Sequence, residues 1–156
     1  MLRRKSVSIV IFLLLIYFFN HSTWAADWGF RGLLPRGTGY YDKSSIKKVN
    51  QNISRVWTVT IYNEKGKESA LSILKKQNKE PGNPKILNQE STLLEFDCLH
   101  SKFRIVAFNI YDEDDNLLFS IPEIHAEWND IKRGSVNEKL ETIICRSDEH
   151  AKKDSK

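Results

Sequence analysis

The sequence predicts an α+β fold: short strands joined by hairpin turns build a sheet, and a helix at the C-terminal end packs on it. Up to about residue 121 the chain is a succession of β-branched and aromatic runs separated by Gly, Asn and Asp clusters. After that, "GSVNEKLETIIC" switches to a helical period behind a capping signal. Two cysteines, Cys98 and Cys145, add the expectation of one disulfide.

The first 25 residues, "MLRRKSVSIVIFLLLIYFFNHSTWA", are read as a secretory signal peptide rather than as fold. Arg3, Arg4 and Lys5 form a positive start, and an apolar run follows from Val7 to Phe19. Small residues at Thr23 and Ala25 suit signal peptidase, with cleavage after Ala25. The apolar run of about 13 residues is short of the ~20 that a spanning helix needs, so no stable membrane insertion is expected after cleavage. No cysteine follows it to accept a lipid. The expectation is an exported protein of the periplasm, cell surface or medium. Residues 26–146 would form one domain, and residues 147–156 a charged flexible tail.

Export changes the charge argument. The whole chain has 24 basic and 20 acidic residues, a formal +4. Without Arg3, Arg4 and Lys5 the counts become 21 and 20, close to neutral. No Lys/Arg stripe interleaved with aromatics remains, so nucleic acid is not an expected partner.

Along the domain, "TGYYD" reads as a first strand, with Tyr40 and Tyr41 on opposite faces. Asp42 to Ser45 is turn chemistry, and "SSIKKV" reads as a second strand. "RVWTVTIY" gives the clearest alternation: Trp57, Val59 and Ile61 on one side, Val56, Thr58, Thr60 and Tyr62 on the other. Trp57 is expected to close the core. "NEKGK" reads as a turn, "ESALSILKK" as either strand or short helix, and "QNKEPGNPK" as an exposed loop. "STLLEFDC" puts Leu94, Phe96 and Cys98 on one face, with Glu95 and Asp97 on the other. "KFRIVAFNIY" suits a central strand, and "DEDDN" joins it to "LLFSI" as a hairpin. Trp28 and Trp128 are expected in core packing.

In the C-terminal helix Ser135 is the N-cap and Glu138 completes a capping box. Val136, Leu140, Ile143 and Ile144 make one apolar stripe, which leaves Cys145 nearly opposite. The helix is therefore expected to end or loosen at Cys145.

Three constellations could carry chemistry. Even cysteine usage in an oxidising compartment makes a disulfide the default, while a reactive Cys98 with His100 as its base is the alternative. In "DEDDNLLFSIPE", Asp112, Asp114, Asn116 and Glu123 match four places of a calcium loop. Leu117 stands where the turn glycine belongs, so an acidic hairpin tip without metal is the preferred reading. Lys75, Lys76, Lys79 and Lys85 fall in one exposed basic segment, the candidate binding loop. His100, His125 and His150 have no metal spacing, "NIS" at 52–54 is too common a motif to weigh, and no cofactor or catalytic residue is expected.

Taken in order, Trp28, "YYDKSSI", "RVWTVTIY", "LLEFDC", "FRIVAFNIY", Trp128 and "GSVNEKLETIIC" resemble the surface-adhesin protein E family of bacterial envelope proteins. The resemblance runs from about Trp28 to Cys145. It implies a small antiparallel sheet packed with a C-terminal helix and tied by a disulfide, whose matching positions are Cys98 and Cys145. It also implies adhesion without catalysis, to host matrix and serum proteins; for this chain the expected partner is a protein or an extracellular or envelope polymer. A structural periplasmic domain with a partner in its own cell is the alternative.

Overall fold

The computed structural model describes the backbone of residues 26–151 and the side chains up to Arg146. The signal peptide expected at 1–25 lies outside the described residues. An antiparallel sheet contains β1 (Trp28–Leu34), β2 (Gly37–Asp42), β3 (Lys47–Lys48), β4 (Ile53–Tyr62), β5 (Leu87–Asp97), β6 (Lys102–Asp112), β7 (Leu117–Ile121) and β8 (Asn129–Asp130). Its order is β1-β2-β4-β5-β6-β7, with β3 paired beside β4 and β8 beside β6. Two helices, α1 (Glu64–Lys76) and α2 (Val136–Ala151), complete the domain.

The first strand of the fold is "WGFRGLL", one earlier than the sequence suggests. Gly29 and Gly32 dilute its β signal, but Gly29 has a packing reason and Gly32 a backbone one, a φ of 142° beside the β1 bulge. A Cβ on Gly29 would sit 2.4 Å from the ring of Tyr41. The expected strand at "SSIKKV" shrinks to Lys47–Lys48, because Asp42 accepts from the backbone N–H of Ser44 and draws residues 43–45 into a 3₁₀ turn.

"NEKGK" is not a turn but the first turn of α1. Asn63 caps it, its side chain accepting from the Gly66 N–H at 2.9 Å. Gly66 costs helix propensity, yet a Cβ there would lie 2.1 Å from the carbonyl oxygen of Arg36. That same carbonyl accepts from Asn63 N–H at 3.0 Å, locking the helix start to the β1–β2 hairpin. Gly66→Ala is therefore expected to destabilise by ~1–2 kcal/mol in chemical denaturation. The clash outweighs the ~1 kcal/mol that Ala gains in an open helix.

Both helices lie against one face of the sheet, over two apolar clusters. Tyr41, Val56, Leu94 and Phe96 meet Leu140 and Ile144 of α2. Tyr62, Leu87, Ile110 and Phe119 meet Ala70 and Leu74 of α1. Between the clusters runs a polar belt, because Thr58 pairs across strands with Thr92 and Thr60 with Glu90. Arg36 closes on Glu90 at 2.7 Å, and the Tyr62 hydroxyl donates to it at 3.2 Å. Burial pushes the Glu90 carboxyl up despite these partners. Arg31 is the extra residue of a bulge in β1; its guanidinium donates to Asn137 of α2, and burial lowers its pKa to about 10.

The terminal helix departs from expectation. Ser135 and Glu138 form the capping contacts: Ser135 Oγ accepts from Glu138 N–H, and the Glu138 carboxylate accepts from Gly134 N–H. The buried side is centred on Leu140 and Ile144, while Ile143 is 41% exposed. That rotation brings Cys145 to the flank of the packed face. The helix passes through Cys145 without ending and reaches Ala151, into the segment expected to be a loose tail. No Gly or Pro stands there to stop it. Cys98 and Cys145 form the disulfide, joining the end of β5 to α2.

Candidate functional site

Strand β4 decides where the site lies. Val56, Thr58, Thr60 and Tyr62 are buried under the helices, so Trp57, Val59 and Ile61 face the other way. The more apolar row of the clearest strand is thus turned outward, and Trp57 does not close the core. The same parity puts Tyr41 inside and Tyr40 outside. It also brings Trp28 and Phe30 of β1 to the open face, at 47% and 63% exposure, so Trp28 is not a core residue. The Phe30 and Tyr40 rings meet edge to face at 6.0 Å.

Register assembles these side chains with polar ones from the next two strands. Val59 pairs with Ser91, Ser91 with Asn109 and Gln89 with Tyr111. The result is a groove of about 860 Å³, with Trp28, Tyr40, Trp57 and Tyr111 among its walls. Its floor is pre-ordered. Asn109 Nδ2 donates to Ser91 Oγ at 3.0 Å, and Ser120 Oγ donates to Asn109 Oδ1 at 2.7 Å. Gln89 Nε2 donates to Asp115 Oδ1 at 2.7 Å, tethering the β6–β7 turn to one end of the groove.

The other part of this face is closed. Glu95 points outward from β5 yet is only 1% exposed. Arg55 and Arg104 clamp it from the neighbouring strands, each at 2.6 Å, and Trp128 stacks on Arg104 at 4.5 Å. Trp128 is thus a lid over an ion cluster rather than a core residue. This patch, two guanidiniums on one carboxylate under a tryptophan, is covered by its own contacts and leaves the groove as the open part of the face.

The sites read from sequence fare differently. The disulfide removes the thiol alternative, since Cys98 is bonded and cannot act as nucleophile. His100 instead contacts Asp97 through Nδ1 at 2.8 Å, and this hydrogen bond first of all lowers the Asp97 pKa. The calcium candidates are not brought together. Asp112 accepts from Asp114 N–H, Asn116 N–H and Asn116 Nδ2, shaping its own turn and lowering its pKa. Glu123 lies past the other end of β7, near His125. The extended strand between them prevents the loop from wrapping an ion.

The basic segment also divides. Lys75 and Lys76 belong to the last turn of α1, where cations suit the helix end, and Lys75 pairs with Glu80 at 3.8 Å. The Lys79 ammonium lies 5.6 Å from the centre of the Phe119 ring. Lys85 borders a separate hollow of about 320 Å³ with Lys67 and Glu68. These four lysines do not converge on one site.

The molecule is thus an α+β domain that shields one sheet face with two helices, leaves an aromatic groove on the other, and is stapled by one disulfide. The chain belongs to the surface-adhesin protein E family, whose model matches residues 34–146. Membership makes it a surface adhesin-like protein. No curated protein sequence and no solved structure matches the chain. Among the described residues no helix is long and apolar enough to cross a membrane.

Proposed function

We propose that this is an exported, non-enzymatic module of the bacterial envelope that holds a protein or polymer partner against the open face of its sheet. The observation that carries it is the inverted strand β4, with threonines inside and Trp57, Val59 and Ile61 outside. Exposing the apolar row of a central strand weakens folding, and a binding surface gives a reason for it. Aromatic anchors around a pre-ordered polar floor are the usual composition of a binding hot spot. The basic segment from Lys75 to Lys85 would act at most as a secondary contact.

Retention of the mature protein on an immobilised extracellular-matrix extract, and in parallel on isolated envelopes of the producing cells, tests this. Trp57→Ala combined with Tyr111→Ala is expected to weaken retention by ~30-fold or more, the scale of a lost hot spot, with thermal stability retained. Lys76→Ala with Lys85→Ala is expected to change it by no more than ~5-fold. Loss confined to the envelope arm would favour the endogenous structural role. Unchanged retention in the aromatic variant would sink the open-face reading.

A further inference from the structure

The groove is segregated by charge as well as lined by aromatics. Three carboxylates border it, Asp42, Glu113 and Asp115, and no lysine, arginine or histidine does. The domain around it is close to neutral, so this one-sided rim is a property of the site. Asp42 stands at one end. Its Oδ1 accepts from Ser44 N–H, Ser44 Oγ and Asp27 N–H, and its Oδ2 has no partner among the described residues. Glu113 and Asp115 stand at the other end, on the turn held by Asp112. Glu113 has no partner among the described residues. Between the two poles lie the rings of Tyr40, Trp57 and Tyr111, a residue class that attracts cations and the alkyl stems that carry them.

We infer that the groove takes an extended polypeptide segment bearing lysine or arginine side chains, laid diagonally across the sheet with its cations at the two acidic poles. This rests on the open face being the binding surface. The face is in mid-sheet, where β2, β4, β5 and β6 already pair with one another, so added-strand pairing is not available. Recognition must come from side chains, and Gln89 Nε2 and both ends of the Asn109 amide are already held within the groove floor. Register sets the ligand's length. Asp42 lies level with Trp57, Leu93 and Ala107, while the Asp115 carboxylate is held by Gln89, which pairs with Tyr111 four residues farther along β6. Three strand spacings of ~4.8 Å and four residue rises of ~3.3 Å give a diagonal of about 20 Å. An extended peptide covers that distance in about six residues. The ligand should therefore carry its two cations about six residues apart. An anionic polymer is disfavoured by the same rim.

Isothermal titration of the mature, disulfide-intact protein tests this with three probes. The first is a Pro/Ser decapeptide with two arginines six residues apart, the second the same peptide with glutamates in their place, and the third chitohexaose. The arginine peptide is expected to bind at least ~10-fold more tightly than the glutamate peptide, and more weakly as salt rises. Glu113→Gln, at an exposed side chain, should weaken it by ~3- to 5-fold, and Trp57→Leu by ~10-fold or more. Equal binding of the two peptides, binding of chitohexaose in preference to the arginine peptide, or indifference to Glu113→Gln and Trp57→Leu would each overturn the cationic assignment. If Trp57→Ala/Tyr111→Ala abolishes matrix or envelope retention while no arginine peptide binds, the ligand class fails and the open-face reading stands. If retention is unaffected, the open-face reading itself fails.

Discussion

Replacing both Cys98 and Cys145 by alanine is expected to lower the stability of the folded domain by ~4 kcal/mol. The bridge spans a sequence separation of 47 residues, and the chain-entropy relation assigns a loop of that length about this much. Its position raises the stake. The loop it closes contains β6, β7 and β8 and most of α2, and Cys145 packs beside Leu140, Ile144 and Phe96. Opening it frees the helix that roofs one of the two apolar clusters, so the loss falls on that half of the core. For a domain of this size, ~4 kcal/mol corresponds to a fall in melting temperature of about 10–20 °C. Calorimetry of the variant beside the oxidised protein checks it. A shift of only a few degrees would mean that α2 is held by its apolar face and Arg31–Asn137 contact without the covalent tie.

How much of this was legible in the sequence depends on whether local or distant residues decide each feature. The strand at 53–62 and the cap at Ser135 and Glu138 are local. Alternation and capping chemistry are visible in windows of a few residues, and both appear in the structure. The start of α1 is not local. Gly66 argues against a helix until the carbonyl of Arg36, thirty residues earlier, is seen to occupy the space a side chain would need. The orientation of β4 is not local either. Its two rows are both compatible with burial, and only the partner rows Thr92–Glu90 and Ser91–Asn109 determine which one the helices cover. Hydropathy favours the Trp57 row for the core, yet the opposite row is buried, with Glu90 held there by Arg36 and Tyr62. The groove was therefore hidden for the same reason that Trp57 was misplaced. It is assembled from β1, β2, β4, β5 and β6, and no short window contains more than a fraction of it.

The reversal makes opposite demands on neighbouring aromatic positions, and Phe96→Ala supplies the second large effect. Phe96 has no exposed surface, packs on Phe103 with ring centroids 6.3 Å apart, and touches the cluster under α2. Truncating a ring so placed removes its transfer free energy and leaves a cavity that two strands and a bridged helix cannot collapse around. The expected loss is ~3–5 kcal/mol in denaturant unfolding, with binding at the open face altered only through the folded fraction. Trp57→Ala removes a larger side chain from the neighbouring strand but from the solvent-facing row, and should cost much less stability while weakening retention by ~10-fold or more. The pair separates fold from function across the thickness of one sheet. If Trp57→Ala proved as destabilising as Phe96→Ala, the outward row would be serving the fold, and the inversion of β4 would need another cause. If Phe96→Ala were mild, the cluster under α2 would be loose enough to repack, and the disulfide would then be the main restraint on that helix.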